Sequence, residues 1–276
     1  MNNKDVIEYV KKAYRELTNN SVHLPQENTD VAVLDEPLIG FAAADDPIYE
    51  TYKKPEVIGP EWMAPREWME DAHTVITLFF PRAEGIRTRL AEDPGPVVEA
   101  AELGFAQAGK CAVKITAALI AELESHGIKV CSPGRDPRSD MKTSPFMNGE
   151  DQDLHFCPTW SDKHAAYACG LGTFGLHRHI ITEKGCCGTL ASFITDHEFD
   201  PSPRPYTGVC DNCIMCGACV QRCPAGAITM EHSRNLMKCI QYGDELEKLG
   251  GGECARCMAG VPCEHRNPAA KEKAPV

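Results

Sequence analysis

The chain has 276 residues, 43% of them hydrophobic and 25% charged, a globular balance that excludes both a disordered polymer and a body embedded in a bilayer. Its 28 basic residues stand against 40 acidic ones, for a formal charge of -12, which argues against nucleic acid or anionic lipid as the main partner. The 15 cysteines, in a chain too long to be a disulfide-stapled miniprotein, point to metal or redox chemistry.

The opening MNNKDVIEYVKKAYREL has neither the apolar run nor the small-residue cleavage site of a secretory signal. No stretch reaches the ~20 uninterrupted apolar residues that span a bilayer. A cytoplasmic protein with no membrane partner is expected, and there clustered thiols stay reduced and act as metal ligands. Residues 5–17 place Val6, Val10, Ala13, Tyr14 and Leu17 on one face of an amphipathic helix. After VAVLDEPLIGFAAADDP comes TVITLFF, residues 74–80, whose β-branched and aromatic content predicts a strand stopped by Pro81. Between them Pro55, Pro60 and Pro65 punctuate a segment holding Trp62 and Trp68, read as a broken loop or short helix packed on the core.

Residues 106–126 repeat Val113, Ala117, Ile120 and Leu123 at helical spacing, with Gly127 as the stop and a strand expected from Ile128 and Val130. Residues 131–153, rich in Pro, Gly, Ser and Asp, read as a long loop. A short helix is expected over residues 163–169, leading into GLGTFG, and a strand over residues 189–195. Composition shifts at Pro201, so a cofactor or substrate domain is expected over residues 1–200 and a cysteine-dense domain over residues 201–276. Strands and helices mix without a βαβ rhythm, which favours α+β.

The most specific motif is CDNCIMCGACVQRCP, where Cys213, Cys216, Cys219 and Cys223 are spaced C-x2-C-x2-C-x3-C ahead of Pro224. That spacing lets a tight loop aim three thiolates at one [4Fe-4S] cubane while the fourth reaches a second cluster. Pro224 fixes the register, leaving Cys210 as a spare thiol. Cys239, Cys254, Cys257 and Cys263 follow. The crossed pattern of two-cluster ferredoxins assigns Cys213, Cys216, Cys219 and Cys263 to one cubane and Cys223, Cys239, Cys254 and Cys257 to the other. A zinc site at Cys254, Cys257, Cys263 and His265 is the chemically sound alternative. Two cubanes form a relay for single electrons, and the residues before them are expected to hold what receives those electrons.

KHAAYACGLGTFGLHRHIITEKG, the strand ending SFITD, the cysteine run ending CPAGAI and the later CIQYG resemble the epoxyqueuosine reductases and the related reductive dehalogenases over residues 163–263. The resemblance implies a nitroreductase-like, cobalamin-binding N-terminal domain followed by a small two-cluster ferredoxin-like domain. It implies electrons passing from a low-potential donor of the ferredoxin or flavodoxin type through two [4Fe-4S] clusters to a corrinoid, and on to a small organic substrate. Gly170, Gly172 and Gly175 match the glycine element at which backbone would approach the cofactor, although a turn built only for tight packing accounts for them as well. Two further functions stay open. One is electron delivery to a partner corrinoid protein or enzyme without a substrate of its own; the other is a flavin-dependent reductase.

The sequence also departs from those families. LHFCPTW, with Phe156 and Cys157, stands where the reductases carry the Asp thought to donate a proton. With few residues after Cys263, a short member without the helical repeats that help those enzymes hold transfer RNA is expected. Tyr167 and Cys157 are the remaining candidate proton donors. The vicinal Cys186 and Cys187 read as buried small residues, beside the alternative of a place near the cofactor face. His177 and His179 would share a face of an extended segment, as ligands for phosphate or propionate or as surface residues.

Overall fold

A computed structural model describes residues 1–148, 151–252 and 254–270. Residues 149 and 150 of the expected loop, and 253 and 271–276 of the expected C-terminal domain, lie outside the described residues. The N-terminal helix α1, Asn3–Arg15, starts from a capping box at Asn2 and buries Val6 and Val10. The hairpin of β1 (Ser21–Leu24) and β2 (Thr29–Ala32) follows, then β3 (Leu38–Ala43), α2 (Ile48–Tyr52), α3 (Pro65–Trp68) and β4 (Thr74–Pro81). Next come α4 (Glu84–Glu92), α5 (Glu99–Ser125), β5 (Val130–Cys131), β6 (Met141–Asn148), β7 (Asp151–Pro158) and α6 (Asp162–Ala168). Last are β8 (Gly172–Phe174), β9 (Ile180–Thr182), β10 (Gly188–Thr195), α7 (Ala218–Gln221), β11 (Ile228–Thr229), β12 (Ser233–Arg234) and α8 (Leu236–Lys248).

The principal sheet has the order β3-β4-β10-β5 and is antiparallel throughout. Every residue of β4 is buried, because helices cover both faces. Ile76, Leu78 and Phe80 point into a core shared with α1, α4 and α5, and Val75 points into the opposite core with Tyr49, Tyr52, Trp62, Trp68 and Trp160. A strand covered on both sides reads as an unbroken apolar run, as TVITLFF does. In the second core Trp62 stacks on Trp160 with centroids 5.0 Å apart. Trp160 Nε1 donates to Ser192 Oγ over 2.8 Å, and Ser192 donates to Asp162. The proline-broken segment thus packs on the core as expected, with Trp62 and Trp68 buried.

Two expectations are overturned. The long helix begins at Glu99, and its buried face runs through Ala108, Cys111, Ala112, Ile115, Leu119 and Leu123. Val113 is 53% exposed. The stripe through Val113 and Ala117 lies one residue away from the real one, because alanine, cysteine and threonine supply much of the contact and carry a weak hydrophobic signal. By length and composition alone α5 could cross a membrane, but here it is a core helix beneath the sheet. The expected loop over residues 131–153 is mostly ordered, since β6 and β7 form an antiparallel ribbon that pairs Met141 with Pro158 and Asn148 with Asp151. The turn signals belong to residues 132–140. Pro145 is tolerated because a two-stranded ribbon consists only of edge strands.

The corrected helix face gives a direct test. Leu119→Ala, which empties a fully buried position, should cost about 2–5 kcal/mol in denaturant unfolding. Val113→Ser should stay within about 0.5 kcal/mol.

Candidate metal centre

The loop between residues 208 and 217 is set by a turn in which Cys213 N–H donates to Cys210 C=O over 2.8 Å. Met215 and Gly217 both take positive φ, 50° and 72°, and curl the chain so that Cys213, Cys216 and Cys219 face one cleft. That cleft is lined by those three cysteines together with Cys263, under an apolar wall that includes Leu176, Ile181 and Val261. Cys219 and Cys263 are buried, Cys213 is half-buried and Cys216 is exposed. Burial pushes the Cys219 thiol up to about 11, and the sulfurs of Cys263, Cys213 and Cys216 push in the same direction. Four thiolates here repel one another unless a cationic core sits between them, which is the charge problem a metal cluster resolves.

A second group gathers beside it. Burial raises the Cys257 thiol to about 12, opposed by Arg234 and reinforced by Cys254, Cys239 and Cys223. Burial likewise raises Cys254, with Cys239 and Cys223 adding to the effect. Cys239 lies in the first turn of α8, which Asn235 caps. Its sulfur accepts from Arg234 Nη2 over 2.9 Å, and Cys223 Sγ accepts from the Ala227 N–H over 3.2 Å. Lys163, from α6, comes down to about 8, chiefly by burial and then by Arg234, while Cys257 and Cys239 oppose the shift. The second group therefore adjoins the helix that precedes the glycine segment.

The chain places Cys263 in the first cleft and leaves His265 exposed. Cys210 is exposed. Sequence reasoning missed the surroundings of Cys263. His177 is buried rather than at the surface, and its Nε2 lies 3.4 Å from Cys263 Sγ. Cys186 Sγ lies 3.8 Å from the same sulfur. A hydrogen bond from Cys186 holds the Cys263 thiol below its ordinary value, while burial pushes Cys186 well above. Cys186 and Cys187 are both buried, as expected. The segment 175–179 is a turn rather than a strand, with Gly175 N–H donating to His179 C=O and Arg178 at φ 58°. His177 and His179 are therefore not on one face of a strand, and only the three-dimensional return of Cys263 shows what His177 touches.

Gly170 has φ +76°, and a Cβ there would meet Pro203 O at 2.4 Å. At Gly172 a Cβ would meet Ile181 O at 2.1 Å, and at Gly175 the His177 ring at 2.6 Å. The space these missing side chains leave is taken up by the chain itself. Tyr167 is buried, packs its ring against Phe174 and Tyr206, and has its hydroxyl pKa raised by burial. Cys157 is buried beneath Gly59, where an added Cβ would lie 3.1 Å from the sulfur.

Residues 211–229 match the 4Fe-4S binding domain family. An 82-residue stretch covering 29% of the chain is 35% identical to the epoxyqueuosine reductase of Cellulophaga algicola, and spans 26% of that protein. In structure the chain is similar to the epoxyqueuosine reductase from Streptococcus thermophilus, with TM-score 0.56, 16% identity and coverage of 97% of this chain and 68% of that one. It is similar to the Bacillus subtilis enzyme at TM-score 0.53 and 18% identity, covering 95% of this chain and 64% of that one. For a catabolic reductive dehalogenase the values are 0.55, 16%, 83% and 30%. The chain thus carries an iron–sulfur binding domain on a mixed α/β fold shared with epoxyqueuosine reductases and reductive dehalogenases. In sequence it resembles the epoxyqueuosine reductases, and it spans about two thirds of their solved chains.

Gly172→Ala separates packing from cofactor approach. With the Cβ driven into Ile181 O, the cofactor-free protein should lose about 1–3 kcal/mol of stability by thermal unfolding. A glycine needed only by a bound cofactor would leave that measurement unchanged.

Proposed function

We propose that this protein is an iron–sulfur oxidoreductase that carries single electrons through two [4Fe-4S] clusters to an acceptor held by residues 1–200. The observation that carries the reading is the sorting of eight cysteines into two groups of four. Cys213, Cys216 and Cys219 line a cleft with Cys263, and Cys223 and Cys239 act electrostatically on Cys254 and Cys257. In this reading residues 201–276 are the cluster domain and residues 1–200 a nitroreductase-like domain. Each cluster, when bound, takes up and releases one electron at a potential set by burial and by hydrogen bonds to sulfur.

The chain's own groups suit that task. The buried walls of the first cleft exclude water, and Cys216 gives a low-potential protein donor an exposed edge. Around the second group, Arg234 and Lys163 supply positive charge, which offsets the negative charge of thiolates and favours electron uptake. Residues 1–200 reach both groups, through Leu176, His177 and Ile181 at the first cleft and through Lys163 of α6 at the second.

A corrinoid is the acceptor this reading assigns, from the shared fold with reductases and dehalogenases. At Gly170, Gly172 and Gly175 the vacant Cβ positions face Pro203, Ile181 and His177, which supports the tight-packing reading of this glycine element beside that of a cofactor cradle. No step is assigned to Tyr167 or Cys157. The substrate is proposed to be a small organic molecule.

Protein purified without oxygen should hold about eight irons per chain, and Cys239→Ala should bring that to about four while leaving one intact cluster signal. An unchanged iron count in the variant, or a colourless wild type, overturns the assignment. Addition of cobalamin to the reconstituted protein should give tight binding with a perturbed visible spectrum; flavin binding in its place would assign the acceptor differently.

A further inference from the structure

His177 lies in the segment that precedes the cysteine-rich tail, yet it is 1% exposed and its ring meets a sulfur 86 residues further along the chain. Its tautomer follows from two contacts. The backbone N–H of His179 donates to His177 Nδ1 over 3.0 Å, so Nδ1 carries a lone pair rather than a proton. The ring proton of the neutral imidazole then sits on Nε2, and Nε2 is the atom 3.4 Å from Cys263 Sγ. The ring is backed by the turn in which Gly175 N–H donates to His179 C=O, and the lack of a side chain at Gly175 makes room for it, since a Cβ there would meet the imidazole at 2.6 Å.

We propose that His177 is a positioning residue for the first cluster, donating Nε2–H to Cys263 Sγ and thereby holding that cluster's reduction potential above the value its four thiolates would otherwise set. The proposal rests on the reading of Cys263 as a cluster ligand. One added electron increases the negative charge on the ligand sulfurs. A donor aimed at one of them therefore stabilises the reduced state more than the oxidised one. Burial strengthens the effect, because no water competes for the sulfur and the local dielectric is low. The electron count on the cluster is unchanged; the hydrogen bond shifts only the balance between its two states. The second group has a different donor, Arg234 on Cys239, so the two potentials are set by separate residues, one neutral and one cationic.

The test is redox titration followed by electron paramagnetic resonance, on the complete chain loaded with both clusters, for wild type, His177→Leu and His177→Gln. The signal of the first cluster is identified as the one lost in Cys219→Ala. His177→Leu should make the first cluster harder to reduce by about tenfold in its equilibrium constant, a shift of ~59 mV for a one-electron couple. The second cluster should not move. His177→Gln, whose amide nitrogen falls near the place of Nε2, should recover most of the shift. If His177→Leu does not retain the first cluster, His177→Asn, too short to reach the sulfur, should show the same shift. Equal potentials in wild type and the donor-less variant, an equal displacement of both clusters, or no recovery with Gln would overturn the proposal. The ligand reading is scored separately, by the iron content of Cys219→Ala. An indifferent potential in a protein holding about eight irons therefore removes the role of His177 alone, whereas full iron in Cys219→Ala removes the ligand reading and this inference with it.

Discussion

The site depends on the chain returning to itself. Two backbone hydrogen bonds, Cys186 N–H to Cys263 C=O at 2.8 Å and Cys187 N–H to Glu264 C=O at 3.0 Å, fasten the end of the described chain to the segment entering β10. Gly185 permits the approach, since a Cβ there would meet Glu264 O at 2.2 Å. Glu264 is held in turn by Arg87, whose Nε lies 3.2 Å from the carboxylate. This strap carries Cys263 back to Cys213, Cys216 and Cys219 and sets it beside His177 and Cys186. Leu176, Ile181 and Cys186 share an apolar cluster with Cys219, Ile228 and Met258, so the wall of the first cleft is built from both sides of Pro201.

The second constraint is electrostatic. Thiols gathered in an apolar setting resist ionisation, and burial is the first cause of the raised values at Cys219, Cys254 and Cys257. A cluster reverses that balance by supplying cationic iron, so binding releases protons and adds its free energy to folding. The protein's own compensation is uneven. The first group has the apolar wall, one imidazole and the Cys186 thiol, and the second has Arg234 with Lys163 nearby. In the proposed reading, sulfurs surrounded by different donors would set the two clusters at different potentials.

How much was legible in the sequence depended on how local the cause was. The cysteine run at residues 213–223 encodes its own loop, since C-x2-C-x2-C spacing and a left-handed glycine act within one turn of chain. TVITLFF announced a strand because both of its faces are covered. Residues 131–153 misled because turn formers at 132–140 coloured the reading of a ribbon whose pairing is set between strands. The face of α5 misled for a related reason, because a helix packed closely through alanine and cysteine shows little contrast between its sides. The surroundings of His177 had no local signal at all.

Taken alone, the sequence determined the presence of iron–sulfur ligation, the mixed fold and the segment likened to the reductases, because spacing and periodicity are short-range properties of a polymer. The tertiary structure decided which sulfurs meet, what stands behind them and what the glycines are for. Cys263 lines the same cleft as Cys219, and Cys257 feels the charge of Cys239 and Cys223, across separations of tens of residues. The three glycines yield to Pro203, Ile181 and His177. Such pairings follow from how the layers pack, and packing is a property of the whole chain that no window of residues contains.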